Sequence, residues 1–134
     1  MQPTLRDLAS QVAQHAYAPY SRLAVGAALR SAKGQVHVGC NVENASFSVG
    51  ICAERAAIAA AIAAEGAEFR LTEIAITAFN HLGELIPIAP CGACRQALIE
   101  FGADARVEFR DADQGWQTVI AAELLPSGFR FPSD

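Results

Sequence analysis

Helical and strand periodicities alternate along this chain, and its two most regular helices both open on cysteine. The stretch ICAERAAIAAAIAAEG predicts a helix from Cys52 to Glu65 capped by Gly66, and PCGACRQALIEFG predicts one from Cys91 to Phe101 closed by Gly102. Between them, Leu71 to Ala78 alternates as LTEIAIT, the period of a strand. Ahead of them, Thr4 and Asp7 mark a helix start, and Leu5, Leu8, Val12 and Ala16 keep helical spacing until Ala18-Pro19. Val25 to Arg30 and Val36 to Val42 then predict a hairpin around Ser31-Ala32-Lys33-Gly34. Beyond the second cysteine helix come two further strands, Arg106 to Arg110 and Trp116 to Val119, and a tail, AAELLPSGFRF, that begins as a helical turn. The order α-β-β-α-β-α-β-β carries a hairpin into βαβ crossovers, so the expected class is α/β, with one mixed five-stranded sheet between helices on both faces.

At 134 residues the chain has room for one domain, here taken as 1–134. With 52% hydrophobic and 18% charged residues it is no disordered segment. Its ten Lys and Arg are scattered and the net charge is -4, which argues against a nucleic-acid partner, since phosphate contacts need clustered positive charge. No run reaches the roughly 20 apolar residues of a membrane span, and MQPTLRDLAS lacks the basic-then-apolar order of a signal peptide. A cytoplasmic protein is expected, in which four cysteines are metal ligands, catalytic groups or core rather than disulfides.

Three arrangements of the cysteines compete. Cys91 and Cys94 form a C-x-x-C pair suited to redox chemistry, but that leaves Cys52 idle. A closed structural zinc site needs Cys40 as a fourth ligand, yet strand alternation puts Cys40 on one face with Val36, Val38 and Val42, as a core thiol. Cys52, Cys91 and Cys94 alone would leave a fourth position open to water, the catalytic pattern for zinc. Helix N-termini favour thiolates. Three of them around Zn²⁺ still leave a charge near −1, which Arg55 or Arg95 beside the sulfurs would offset. Glu54, near the metal without ligating it, is then placed to carry protons, although a glutamate in a first turn is also favoured by the helix dipole alone.

Taken together, C-A-E-R at Cys52–Arg55, P-C-G-A-C-R at Pro90–Arg95 and G-C-N-V-E-N-A-S at Gly39–Ser46 resemble the small cytidine deaminases of nucleoside salvage. The resemblance extends to A-Y-A-P-Y-S-R-L-A-V-G-A-A-L at Ala16–Leu29 and E-L-L-P-S-G-F at Glu123–Phe129, so it spans nearly the whole chain. It implies the cytidine deaminase fold, a three-layer α-β-α sandwich. It also implies one zinc per chain on Cys52, Cys91 and Cys94, Glu54 as proton shuttle, and hydrolytic deamination of cytidine and 2′-deoxycytidine. Asn41 and Glu43 would hold the ribose, and Asn41, Glu43 and His37 share the strand face opposite the valines. Ala53 would meet the base through its backbone, and Leu23 would lie against it where relatives commonly carry phenylalanine. Arg55 would stand beside the sulfurs. Small members of the family are usually homotetramers, in which Phe129 would reach over an adjacent subunit's site. Phe47 stands where many relatives have tyrosine. Blasticidin-type deaminases share the zinc motifs and the tail, but N-V-E-N-A-S follows the cytidine deaminase form. A protein with four-cysteine structural zinc is the non-enzymatic alternative, and His15, His37 and His81 are expected to be ordinary residues rather than ligands.

Glu43 also bears on substrate class, because a carboxylate beside the sugar would repel a phosphate there and no glycine-rich cradle or basic pair lies near. Cytidine should therefore be turned over and its monophosphate hardly at all. Comparable kcat/KM for the two in a direct competition would overturn this reading.

Overall fold

The computed structural model describes residues 2–133. Helix α1 spans Leu5–Ala13 and starts at the expected cap: Thr4 Oγ1 accepts the Asp7 N–H at 3.1 Å while Asp7 accepts the Thr4 N–H at 3.0 Å. It ends before the expected Ala16, and the Tyr17 N–H goes instead to the Asn41 carbonyl at 3.1 Å. Strands β1 (Ala24–Ser31) and β2 (Val36–Cys40) form the hairpin, turning through Gly34 at φ 84°. Helix α2 (Ala53–Glu65) leads to β3 (Leu71–Phe79), then to the two-residue β4 (Leu85–Ile86). Helix α3 (Gly92–Gly102), β5 (Arg106–Asp111) and β6 (Gly115–Ile120) complete the set, with short 3₁₀ turns at Phe47–Val49 and Ala121–Leu124.

The main sheet order is β2-β1-β3-β5-β6, and β4 adds a sixth strand by pairing with the end of β3. Only β3 and β5 run parallel as neighbours, joined through α3, and the crossover through α2 carries the chain from β2 past β1 to β3. Pleating divides the interior. Ala27, Leu29, Ile74, Ile76 and Val107 pack with Ala57, Ala61 and Leu98 of α2 and α3, whereas Ala28 and Ala75 face Leu5 and Ala9 of α1. The expected mixed α/β sandwich is present, with one more, very short, strand than the five predicted.

Two expectations change. Gly102 lies within α3 rather than beyond its end, and a Cβ there would sit 2.4 Å from the Leu71 carbonyl, so this glycine serves close packing. The valine face of β2 is not core: Val36 and Val38 are 37% and 39% exposed and Cys40 is half-buried. β2 is an edge strand, and α1 packs over β1 and β3. The opposite face of β2 is the buried one. There His37 Nε2 lies 2.6 Å from Glu65 Oε2 at the end of α2.

Gly39, on that buried face, sets how near α2 comes to the sheet. A Cβ at this position would fall 2.3 Å from the Ala57 nitrogen and 2.7 Å from the Ala53 carbonyl oxygen. Since both obstacles are backbone, relief requires moving the helix. Gly39→Ala should cost about 3 kcal/mol and lower Tm by roughly 10 °C. Gly34→Ala, with nothing within 4 Å and only its positive φ to strain, should cost about 1 kcal/mol. Thermal and urea unfolding of both variants check the order.

Candidate metal centre and substrate cavity

The helix starts create the centre. Cys52 is the N-cap of α2, with φ −78° and ψ 156°, and not its first helical residue. That extended cap breaks the helical step between positions 52 and 54, so both side chains line one cavity, which spacing along an ideal helix does not produce. Cys91 is likewise the N-cap of α3, and its sulfur accepts the Cys94 N–H at 3.4 Å. The sulfurs of Cys52, Cys91 and Cys94 lie within 4.8 Å of one another, with 3.8 Å between Cys52 and Cys91.

That spacing fits zinc. Tetrahedral Zn–S bonds of about 2.3 Å set sulfurs roughly 3.8 Å apart, far beyond a disulfide. Among the described residues this is the one group of histidine, cysteine and carboxylate side chains close enough to hold a metal, and neither Cys40 nor any histidine joins it. The four-cysteine arrangement therefore fails on geometry. So does the redox pair as a complete account, because Cys52 stands beside Cys91 and Cys94.

Electrostatics within the cluster are uneven. Cys52 is drawn down to about 5, chiefly by the hydrogen bond from Cys94 and further by Arg55, whose Nη2 donates to its sulfur at 3.4 Å. The same contact with Cys52, together with burial, pushes the Cys94 thiol up. Arg95 takes a different part from the one considered for it: its Nε donates to the Pro90 carbonyl at 2.7 Å and its Nη1 to the Leu124 carbonyl at 3.0 Å, tying the start of α3 to the tail. Glu54, 4% exposed, is outside the ligand cluster, and burial raises it to about 7.

A cavity of about 580 Å³ opens in front of these groups, lined by Leu23, Asn41, Glu43, Ala53 and Glu54 together with Cys52 and Cys91. The antiparallel bridge between Val42 and Ile51, bonded both ways at 3.0 and 2.9 Å, holds the end of the hairpin against the start of α2. Asn41 is 9% exposed and half engaged by backbone: its Oδ1 accepts the Val25 N–H at 2.9 Å and its Nδ2 donates to the Leu23 carbonyl at 2.8 Å. Glu43 accepts the N–H groups of Tyr20 and Ser21, both at 3.0 Å, and the Ser21 hydroxyl. Those donors hold its carboxyl below the usual range, the Ser21 hydroxyl foremost. Phe129 lines no part of this cavity; it is 67% exposed, with its backbone paired to the Gln96 side chain. Tyr20, Ser21, Val25 and Ile88 also line the cavity. Tyr20, Ser21 and Val25 fall within the Ala16–Leu29 motif without a role assigned to them there, and Ile88 lies in no sequence motif.

Comparison with known proteins agrees with this geometry. Residues 2–109 match the model of the cytidine and deoxycytidylate deaminase zinc-binding region. A cytidine deaminase of Mycobacterium tuberculosis is 43% identical over 125 residues, covering 93% of this chain and 86% of that protein. The cytidine deaminase of Halalkalibacterium halodurans is 40% identical over 122 residues, covering 90% and 88%. The crystal structure of cytidine deaminase from Burkholderia pseudomallei superposes with a TM-score of 0.80 at 42% identity, over 93% of this chain and 96% of that one. The chain thus belongs to the cytidine and deoxycytidylate deaminase family and carries its zinc-binding region.

Proposed function

We propose that this chain hydrolyses cytidine, and 2′-deoxycytidine, to the corresponding uracil nucleoside and ammonia. The observation that carries the reading is Glu54, a buried carboxyl outside the ligand cluster, on the wall of one cavity with the clustered thiols. Zinc held by Cys52, Cys91 and Cys94 would supply a Lewis acid and lower the pKa of water at its open position. Near neutrality Glu54 can both accept and donate. In this reading it takes a proton from the water whose oxygen bonds to C4 and delivers it to N3 of the cytosine, then carries the proton of the new C4 hydroxyl to the amino group, so that the C4–N bond breaks, C4=O forms and ammonia leaves. Arg55, donating to the Cys52 sulfur, would temper its charge and so preserve more of the electrophilicity of a metal held there.

The rest of the cavity receives the nucleoside. Ala53 at the start of α2 meets the base with its backbone, Leu23 supplies an aliphatic wall, and Asn41 and Glu43 take the ribose. A homotetramer is part of the same proposal, supported by the exposure of Tyr17, Val42, Phe47 and Phe129 at 56%, 45%, 80% and 67%. In it Phe129 covers the base in an adjacent copy. Among the described residues no helix is long and apolar enough to cross a membrane; a cytoplasmic location is part of the same proposal, since thiol ligands stay reduced there.

Ultraviolet absorbance of cytidine mixed with zinc-loaded protein should fall steadily. Glu54→Gln should keep its zinc and lose at least about a thousandfold in kcat; unchanged turnover would remove Glu54 from the chemistry. Metal analysis should find one zinc per chain in the Cys40→Ala variant and a large loss in Cys91→Ala. Loss of zinc from Cys40→Ala would reinstate a fourth cysteine ligand.

A further inference from the structure

We propose that Ser21 is the positioning residue of the ribose acceptor Glu43, and that it leaves this carboxylate able to read a single hydroxyl donor. The inference rests on the nucleoside reading above and goes one residue beyond it. Ser21 bonds Glu43 twice, through its N–H to Oε1 at 3.0 Å and through its hydroxyl to Oε2, while the Tyr20 N–H adds a further bond to Oε1 at 3.0 Å. A carboxylate offers about four lone-pair sites, so these donors leave about one for a ligand. The Ser21 hydroxyl is itself oriented, because its oxygen accepts the Leu23 N–H at 3.0 Å. Arg22, between them, is held at φ 61°, a left-handed conformation unusual for a residue with a side chain.

The bonds close a ring. Leu23 donates its N–H to Ser21 Oγ and accepts from Asn41 Nδ2 at its carbonyl, Ser21 donates its hydroxyl to Glu43, and Glu43 follows Asn41 by two positions. Residues assigned to sugar and base are thus one hydrogen-bonded unit. Its function is to fix Glu43 before a ligand arrives, so that binding need not order a flexible carboxylate. Ser21 is exposed and its hydroxyl bonds only Glu43 and the Leu23 N–H, so its effect runs through Glu43.

Steady-state kinetics on zinc-loaded wild type, Ser21→Ala and Ser21→Thr test this, with cytidine, 2′-deoxycytidine and 2′,3′-dideoxycytidine. Ser21→Ala should raise KM about tenfold for the first two, the loss of one hydrogen bond to a charged group, and change kcat less than about twofold. Ser21→Thr, which keeps the hydroxyl, should stay within about threefold of wild type on each substrate. The dideoxy compound, with no hydroxyl for Glu43, should show the same KM in wild type and Ser21→Ala. An unmoved cytidine KM in Ser21→Ala, a loss carried by kcat, or an equal KM rise for the dideoxy compound would each overturn the proposal. Absence of cytidine turnover by wild type would instead overturn the nucleoside reading on which it rests.

Discussion

Two helices bring their N-termini together here, and adjoining positive dipole ends repel unless an electron-rich group sits between them. Cys52 caps α2, Cys91 caps α3, and Cys94 follows in the first turn of α3, so that group is sulfur. Much of the architecture serves this meeting. The strand β3 returns the chain between the two helices, and β3 and β5 run parallel so that both helices lie on the same face of the sheet. Cys52 and Cys94 respond in opposite directions, one thiol strongly acidified and its neighbour held protonated. Three sulfurs this close cannot all carry charge without a cation between them, and a divalent metal would accept all three as thiolates.

A second constraint acts at the far wall of the cavity. Beyond Cys40 the hairpin stops pairing as a regular ladder, and the Asn41 side chain replaces backbone by taking the Val25 N–H and giving to the Leu23 carbonyl. The strand can therefore bend toward α2 without leaving buried amide groups unpaired. Glu43 arrives at the cavity through that bend, and its own donors come from the segment 20–21 that the bend brings alongside.

Much of this was legible in the sequence, for physical reasons. Period-two and helical patterns follow burial, so the element order could be anticipated, and the cysteine spacing could be read because metal ligation demands it. Other features depend on tertiary distance. Strand alternation gives the parity of β2 but not which side is buried, so the valine face was expected in the core and lies at an exposed edge. Gly102 reads as a stop signal because glycine so often is one, whereas here it admits the Leu71 carbonyl. The β4 pair is too short to show a period. Arg55 stands beside a sulfur as expected, whereas the hold of Arg95 on the Pro90 and Leu124 carbonyls depends on where the tail folds, which no local pattern carries.

The doubly bonded bridge between Val42 and Ile51 separates chemistry from access. Its two ends hold the end of the hairpin against the start of α2, while Asn44, Phe47 and Gly50, all within the enclosed loop, line the cavity. Loop-closure entropy grows only with the logarithm of length, so residues can be added or removed inside this loop at small cost to the frame. A rim that can be rewritten while the catalytic interior keeps its registration gives the fold room to admit differently decorated ligands, and makes positions 44 to 50 the natural place to graft new selectivity.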